Sequence, residues 1–109
     1  MIRTVNLSIN KGTNFLKRFE VIDENLDPIN ISSFAFVSKI RKNYDSRKFY
    51  SLGTTVSNTE TGVFYLSLDS LSSLSIPQGN YVYDVLSINN GIKTKLYDGL
   101  VYIQDTIST

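Results

Sequence analysis

Tyr81-Val82-Tyr83-Asp84-Val85-Leu86-Ser87-Ile88-Asn89-Asn90-Gly91-Ile92-Lys93-Thr94-Lys95-Leu96-Tyr97 decides the fold class. Asn-Gly between two alternating runs is the strongest short-range signal for a β-hairpin, because a two-residue type I′ turn needs positive φ at both central positions. A two-residue turn at Asn90-Gly91 predicts Ser87 opposite Thr94 and Val85 opposite Leu96 on one face. Leu86 then faces Lys95 on the other face, with Asp84 diagonal to Lys95.

Outward from that hairpin the same rhythm recurs. Val5, Leu7 and Ile9 alternate up to the turn at Asn10-Lys11-Gly12, and Phe15, Phe19 and Val21 share one side of the next run. After the polar bend Asp23–Pro28, Phe34, Phe36 and Ile40 point inward while Lys39 and Arg41 point outward. The alternation is weakest from Lys42 to Val56, which reads as an excursion at a sheet edge with one short strand near Phe49–Leu52. Phe64, Leu66 and Leu68 form the next inward set. Asp69-Ser70-Leu71-Ser72-Ser73-Leu74 allows one helical turn, capped by Asp69 and stopped by Pro77. Gly99 permits a bend before the closing strand Leu100–Ile103.

Composition agrees. Ala35 is the only alanine in 109 residues, while β-branched and aromatic residues abound. Seven or eight short antiparallel strands in one domain of this size predict an all-β, immunoglobulin-like sandwich over residues 1–105, with 106–109 as a tail. The polar start Met1–Asn6 does not read as a signal peptide.

The residue inventory restricts the chemistry. With neither cysteine nor histidine, the chain can build no disulfide, thiolate nucleophile, imidazole metal site or serine–histidine triad. Asp84, the most conspicuous carboxylate, has no second catalytic group beside it and reads as an outward strand residue paired with Lys95 or with backbone donors. Asp23, Glu24 and Asp27 lack the glycine and terminal glutamate of a calcium loop. No enzymatic activity, metal or cofactor is expected. Tyr81 and Tyr83, just after a turn, read as structural anchors of the tyrosine-corner kind, and Gly12, Gly79, Gly91 and Gly99 as turn or bend positions.

The local charge asymmetry is the basic group Lys39, Arg41, Lys42, Arg47 and Lys48, interleaved with Tyr44, Phe49 and Tyr50. With a net charge of +1, nucleic acid is not the expected partner. A solvated edge, or a contact to an acidic protein surface, is. The expected partner-binding residues are Lys39, Arg41, Lys42, Tyr44, Arg47, Lys48 and Tyr50, with Ser108 and Thr109 of the tail.

Ile9-Asn10-Lys11-Gly12-Thr13-Asn14-Phe15 resembles the "kGt-x-f" opening of small β-sandwich domains in tailed-bacteriophage virions. The likeness continues through the bend Asp23–Ser33, Ile40-Arg41-Lys42, Gly62–Leu68, Leu74, Gly79–Val85, Gly91 and Asp98–Ile103. Asn25 stands where those domains usually place a turn glycine. The family includes amino-terminal domains of upper baseplate proteins, so the resemblance implies fold and setting. It implies a non-enzymatic structural protein of the virion, assembled in the host cytoplasm and present in multiple copies. The partners it implies are the major capsid protein, for a decoration subunit, or tail, baseplate and neck components, for an adaptor. No membrane is implied. A carbohydrate-binding module using Tyr44, Tyr50 or Tyr102 as stacking platforms is the reading from another class.

Overall fold

The computed structural model describes residues 2–106. It is all-β, an immunoglobulin-like sandwich whose strands alternate inward apolar and outward polar residues. Strands β1 (Arg3–Thr4), β2 (Leu7–Asn10), β3 (Phe15–Glu20), β4 (Ala35–Arg41), β5 (Tyr50–Asn58), β6 (Val63–Leu68), β7 (Gly79–Asn89) and β8 (Ile92–Gln104) follow in chain order, with helix α1 (Ser70–Leu74) between β6 and β7. The hydrogen-bonded order β1-β8-β7-β4-β5-β6-β3, with β2 also on β8, curls into two layers.

Strand β5 joins the layers. Its first residues pair with β4, ending at Leu52 opposite Ser38, and from Gly53 onward it pairs with β6. The sequence predicts only a short strand near Phe49–Leu52. The observed strand is longer because the residues after Gly53 serve the second layer with Thr54 half-buried and most of the rest exposed, so they carry little inward alternation to read.

Two further expectations are corrected by the pairing. Strands β1 and β2 run parallel to β8, whereas the other ladders are antiparallel. The parallel course follows from Lys11–Asn14, which carry the chain from β2 on one layer to β3 on the other instead of closing a hairpin. In the β7–β8 hairpin Ser87 faces Thr94 and Leu86 faces Lys95, but a bulge follows and Val85 faces Tyr97 rather than Leu96. The extra residue turns Tyr97 into the core and leaves Leu96 half-buried, which a hairpin extrapolated from its turn cannot show. Strand β8 then runs unbroken through Gly99, which is not a bend between two strands.

The core is stitched by rings and hydroxyls. Phe64 on β6 stacks on Phe36 of the facing layer at 4.4 Å between centroids and on Phe19 at 5.6 Å. Tyr97 meets Phe19 edge-on at 4.8 Å and donates its hydroxyl to the Glu20 carbonyl at 2.6 Å, tying β8 to β3 across the open flank. The Tyr81 hydroxyl donates to the Pro77 carbonyl, the upstream backbone bond of a tyrosine corner, and the Tyr83 hydroxyl donates to the Val5 carbonyl, both at 2.6 Å. Burial holds the Tyr83 phenol far above its ordinary pKa, with Asp98 and Tyr97 adding to the effect, so it remains a donor well into alkaline pH.

Helix α1 is the turn expected at Asp69–Leu74, with the Asp69 carboxylate accepting from Ser72 N at 2.7 Å. Leu71 and Leu74, three residues apart, face solvent, and the residue that faces in is Ser73. Its hydroxyl accepts from Gly12 N and donates to the Thr13 carbonyl, fastening the helix to the β2–β3 turn. The acceptor bond to Ser72 also holds the Asp69 pKa down. A depressed carboxylate stabilises the fold above its unfolded pKa and loses that contribution as pH falls through the folded one. Acid is therefore expected to fray α1, with an apparent pKa below the ordinary aspartate range in the Ser72 amide shift. An unshifted midpoint there would remove the cap from the account.

Candidate docking surface on the outer sheet face

The outer face of β4, β7 and β8 is where the chain departs from apolar-in, polar-out alternation. Register places Val37 beside Leu86, Lys39 beside Asp84 and Arg41 beside Val82, with Lys95, Asp98 and Leu100 next to those β7 residues on β8. Val37, Leu100 and Tyr102 are exposed, and Val82 and Leu86 only half-covered. Outward valine and leucine on three adjacent strands form two apolar patches, Val37 with Leu86 and Val82 with Leu100, separated by the charged row Lys39, Asp84 and Asp98.

The β4–β5 loop folds back over this face. Asn43 nucleates it, its side-chain oxygen accepting from Asp45 N at 3.0 Å and from the Ser46 hydroxyl at 3.1 Å. Arg41 clamps the loop from below by donating to the Ser46 carbonyl at 2.8 Å. Tyr44 is thereby held as the roof of a groove of about 210 Å³, with Val37, Val82 and Leu86 as apolar lining and Lys39, Arg41 and Asp84 as charged lining. Tyr44 remains 59% exposed, and the Lys95 ammonium lies 5.3 Å from its ring centroid.

The predicted basic group is divided by this arrangement. Lys39 and Arg41 flank the groove, at 4.2 and 5.5 Å from the Phe49 ring. Lys42 turns away to cover Tyr81 at 4.8 Å, and Lys48 covers Tyr50 at 5.4 Å. Tyr50 itself packs edge-on against Tyr81 and is half-buried, so as a stacking platform it is already occupied. Arg47 is exposed in the loop. Ser108 and Thr109 lie outside the described residues. Val37, Val82 and Leu86 are the residues that sequence reasoning missed. The available signal was apolar residues at outward positions of two strands whose faces were already assigned.

Of the two expected arrangements for Asp84, the ion pair with Lys95 is not formed. Lys95 bonds Asp98 instead, at 3.2 Å, and Asp98 also accepts from the Thr4 hydroxyl at 2.9 Å. The bulge brings Asp98 within reach, three residues from Lys95. The Thr4 and Lys95 bonds hold the Asp98 pKa down, and the Asp98 bond holds the Lys95 pKa up. Both side chains keep substantial solvent access, so Lys95→Ala is expected to cost under about 1 kcal/mol in chemical denaturation.

A second depression, of about 460 Å³, lies at the open flank, lined by Arg3, Glu20, Asp23, Phe34 and Leu96 among others. The Asp23 carboxylate there accepts from the Asn25 and Asp27 amides and serves the bend. No group of three or more acidic residues among the described residues is placed to hold a metal ion.

No protein-family model matches the sequence, and no curated protein matches it. Among solved structures, 94% of the chain superposes on 27% of InlP from Listeria monocytogenes, with a TM-score of 0.52 and 18% identity. The chain thus spans about a quarter of that protein's length. A VGSC beta subunit, from work on its multimeric cell-adhesive interactions, aligns with 94% of this chain over 92% of its own at a TM-score of 0.49 and 11% identity. A family 123 glycoside hydrolase from Clostridium perfringens aligns with 98% of this chain over 24% of its own at 0.45 and 11%. None of the three is a phage virion protein, and the likeness to InlP is one of fold.

Proposed function

We propose that the chain is a non-enzymatic structural protein of a tailed-phage virion, an auxiliary or decoration subunit that binds the capsid lattice through the outer face of β4, β7 and β8. The observation that supports a binding role is a pair of outward apolar patches on one sheet face, Val37 with Leu86 and Val82 with Leu100, of which Val37 and Leu100 are exposed and the other two half-buried. Leaving that much apolar surface in water is costly unless a partner covers it. The virion setting is supported by the sequence resemblance in turns and core positions. In a lattice, each contact can be modest because repetition raises effective concentration.

Purified particles from the lysate that encodes the chain test this reading by gel densitometry. A lattice-bound subunit is expected at on the order of hundreds of copies per particle, and an adaptor of the tail, baseplate or neck at about a few dozen or fewer. Absence from particles that are otherwise complete would overturn both. Exposed Tyr102 favours a carbohydrate-binding module as the second reading, and saturable binding to one glycan on an array would promote it over the first.

A further inference from the structure

Within the docking face, the groove under Tyr44 has its own chemistry. Its volume of about 210 Å³ is below the range of roughly 300–1,000 Å³ typical of small-molecule pockets, and matches a side chain or two presented by a larger partner. Its lining is apolar at Val37, Val82 and Leu86, cationic at Lys39 and Arg41 and anionic at Asp84, a surplus of one positive charge. Asp84 stands beside Lys39 in the same lining, but neither cation forms an ion pair with it. The ion pairs among the described residues join Lys11 to Asp105, Arg18 to Glu20 and Lys95 to Asp98. Arg41 donates one N–H to the Ser46 carbonyl, and a guanidinium has five in a fixed fork that suits a carboxylate.

Resting on the assignment of this face as the docking surface, we propose that the groove binds an extended acidic protein segment, seating an apolar side chain on Val37, Val82 and Leu86 and a neighbouring carboxylate on Lys39 and Arg41. The loop is already held by Asn43 and Ser46, so ordering it adds little cost on binding. Nucleic acid fits less well, because bases need free aromatic faces, and Phe49 has Lys39 and Arg41 beside it while Tyr44 has Lys95. Asp84 in the lining repels either anion, so it leaves Arg41, two residues further along β4 than its neighbour Lys39, as the stronger carboxylate anchor.

The test is an NMR titration of the labelled chain with a synthetic peptide alternating Glu and Leu, compared with its Gln/Leu counterpart and an oligothymidylate of matched charge. Expected are saturable shifts confined to the Val37, Val82 and Leu86 methyls and the Tyr44 ring. The Gln/Leu peptide should bind about tenfold or more weakly, the size of one lost charge-assisted bond. Lys39→Ala, which leaves the Arg41–Ser46 clamp in place, should weaken the Glu/Leu peptide by about tenfold, and Arg41→Gln by at least as much. Amide shifts outside the face, unchanged in both variants, establish that the fold is intact. Shifts absent, scattered or mapped elsewhere would overturn the proposal, as would equal binding of the Gln/Leu peptide. Tighter binding of the oligothymidylate at these residues would replace it with a nucleic-acid surface. A chain found in particles with a groove that ignores the peptide would lose this inference alone. Peptide binding by a chain absent from particles would leave the inference standing without the virion setting.

Discussion

Phe64→Ala is expected to destabilise the fold by about 3–5 kcal/mol, the cost of truncating a fully buried phenylalanine. The size follows from position. Phe64 touches the facing layer through Phe36 and its own layer through Phe19, and Phe19 in turn carries Tyr97. Removing the ring takes away the transfer free energy of the buried atoms and leaves a hole bounded by the Phe19 and Phe36 rings, each fixed by strand register and unable to collapse far. Against a total stability of about 5–15 kcal/mol for a domain of this kind, the loss is a large fraction. Urea denaturation should show a lower midpoint with an unchanged slope. Leu71→Ala is the control, since that side chain is 80% exposed on α1 and its loss should fall within about 0.5 kcal/mol. Comparable effects at the two positions would mean that the layers do not meet at Phe64.

The strands were legible wherever one face is buried and the other wet. Phe34-Ala35-Phe36 and Val63–Leu68 declare their inward sets by a period of two, and Asn90-Gly91, with φ of +52° and +77°, declares its turn. Ile31 and Ile76, both buried to within about 1% of completeness, stayed invisible because they plug the sandwich from irregular segments that have no period. Ser38, Ser73 and Ser87 are buried for reasons that only partners reveal, as in the Ser38 hydroxyl donating to the Asp84 carbonyl at 2.7 Å. The bulge after Leu86 is a tertiary decision. Facing Val85, Tyr97 can reach both Phe19 and Glu20, and nothing within the hairpin's own sequence reports that reward.

The candidate site was half legible for a related reason. Charge reads off the chain directly, so Lys39 and Arg41 were found. Their separation from Lys42 and Lys48 depends on which ring each cation covers, and Tyr81 and Phe49 are far from one another in sequence. The groove floor needs two strands at once, since neither Val37 nor Leu86 means anything until register sets them side by side.

Gly99→Ala is expected to cost about 3–5 kcal/mol, through a clash rather than through conformational preference alone. A Cβ at Gly99 would run into the Val5 carbonyl, a backbone atom with no rotamer to yield. The strap formed by β1 and β2 would have to lift, and three hydrogen bonds lie along it. Val5 N donates to the Asp98 carbonyl at 2.9 Å, Leu100 N donates to the Asn6 side chain at 3.0 Å, and the Tyr83 hydroxyl donates to the Val5 carbonyl. Two ordinary bonds at about 1 kcal/mol each, plus about 1–3 for a buried phenol left unpaired, give the stated sum. Gly91→Ala separates this cause from the other. Its φ of +77° is as unwelcome to alanine, but no atom lies within 4 Å of the added Cβ, so only about 1–2 kcal/mol should be lost. Hydrogen exchange should report the difference in kind as well as size. In Gly99→Ala the β1–β2 amides should exchange faster than the rest of the sheet, because parallel pairing to β8 is what the clash breaks. In Gly91→Ala the strap should stay protected relative to the sheet. A strap equally protected in both variants would show that its close passage over Gly99 is not what holds it down.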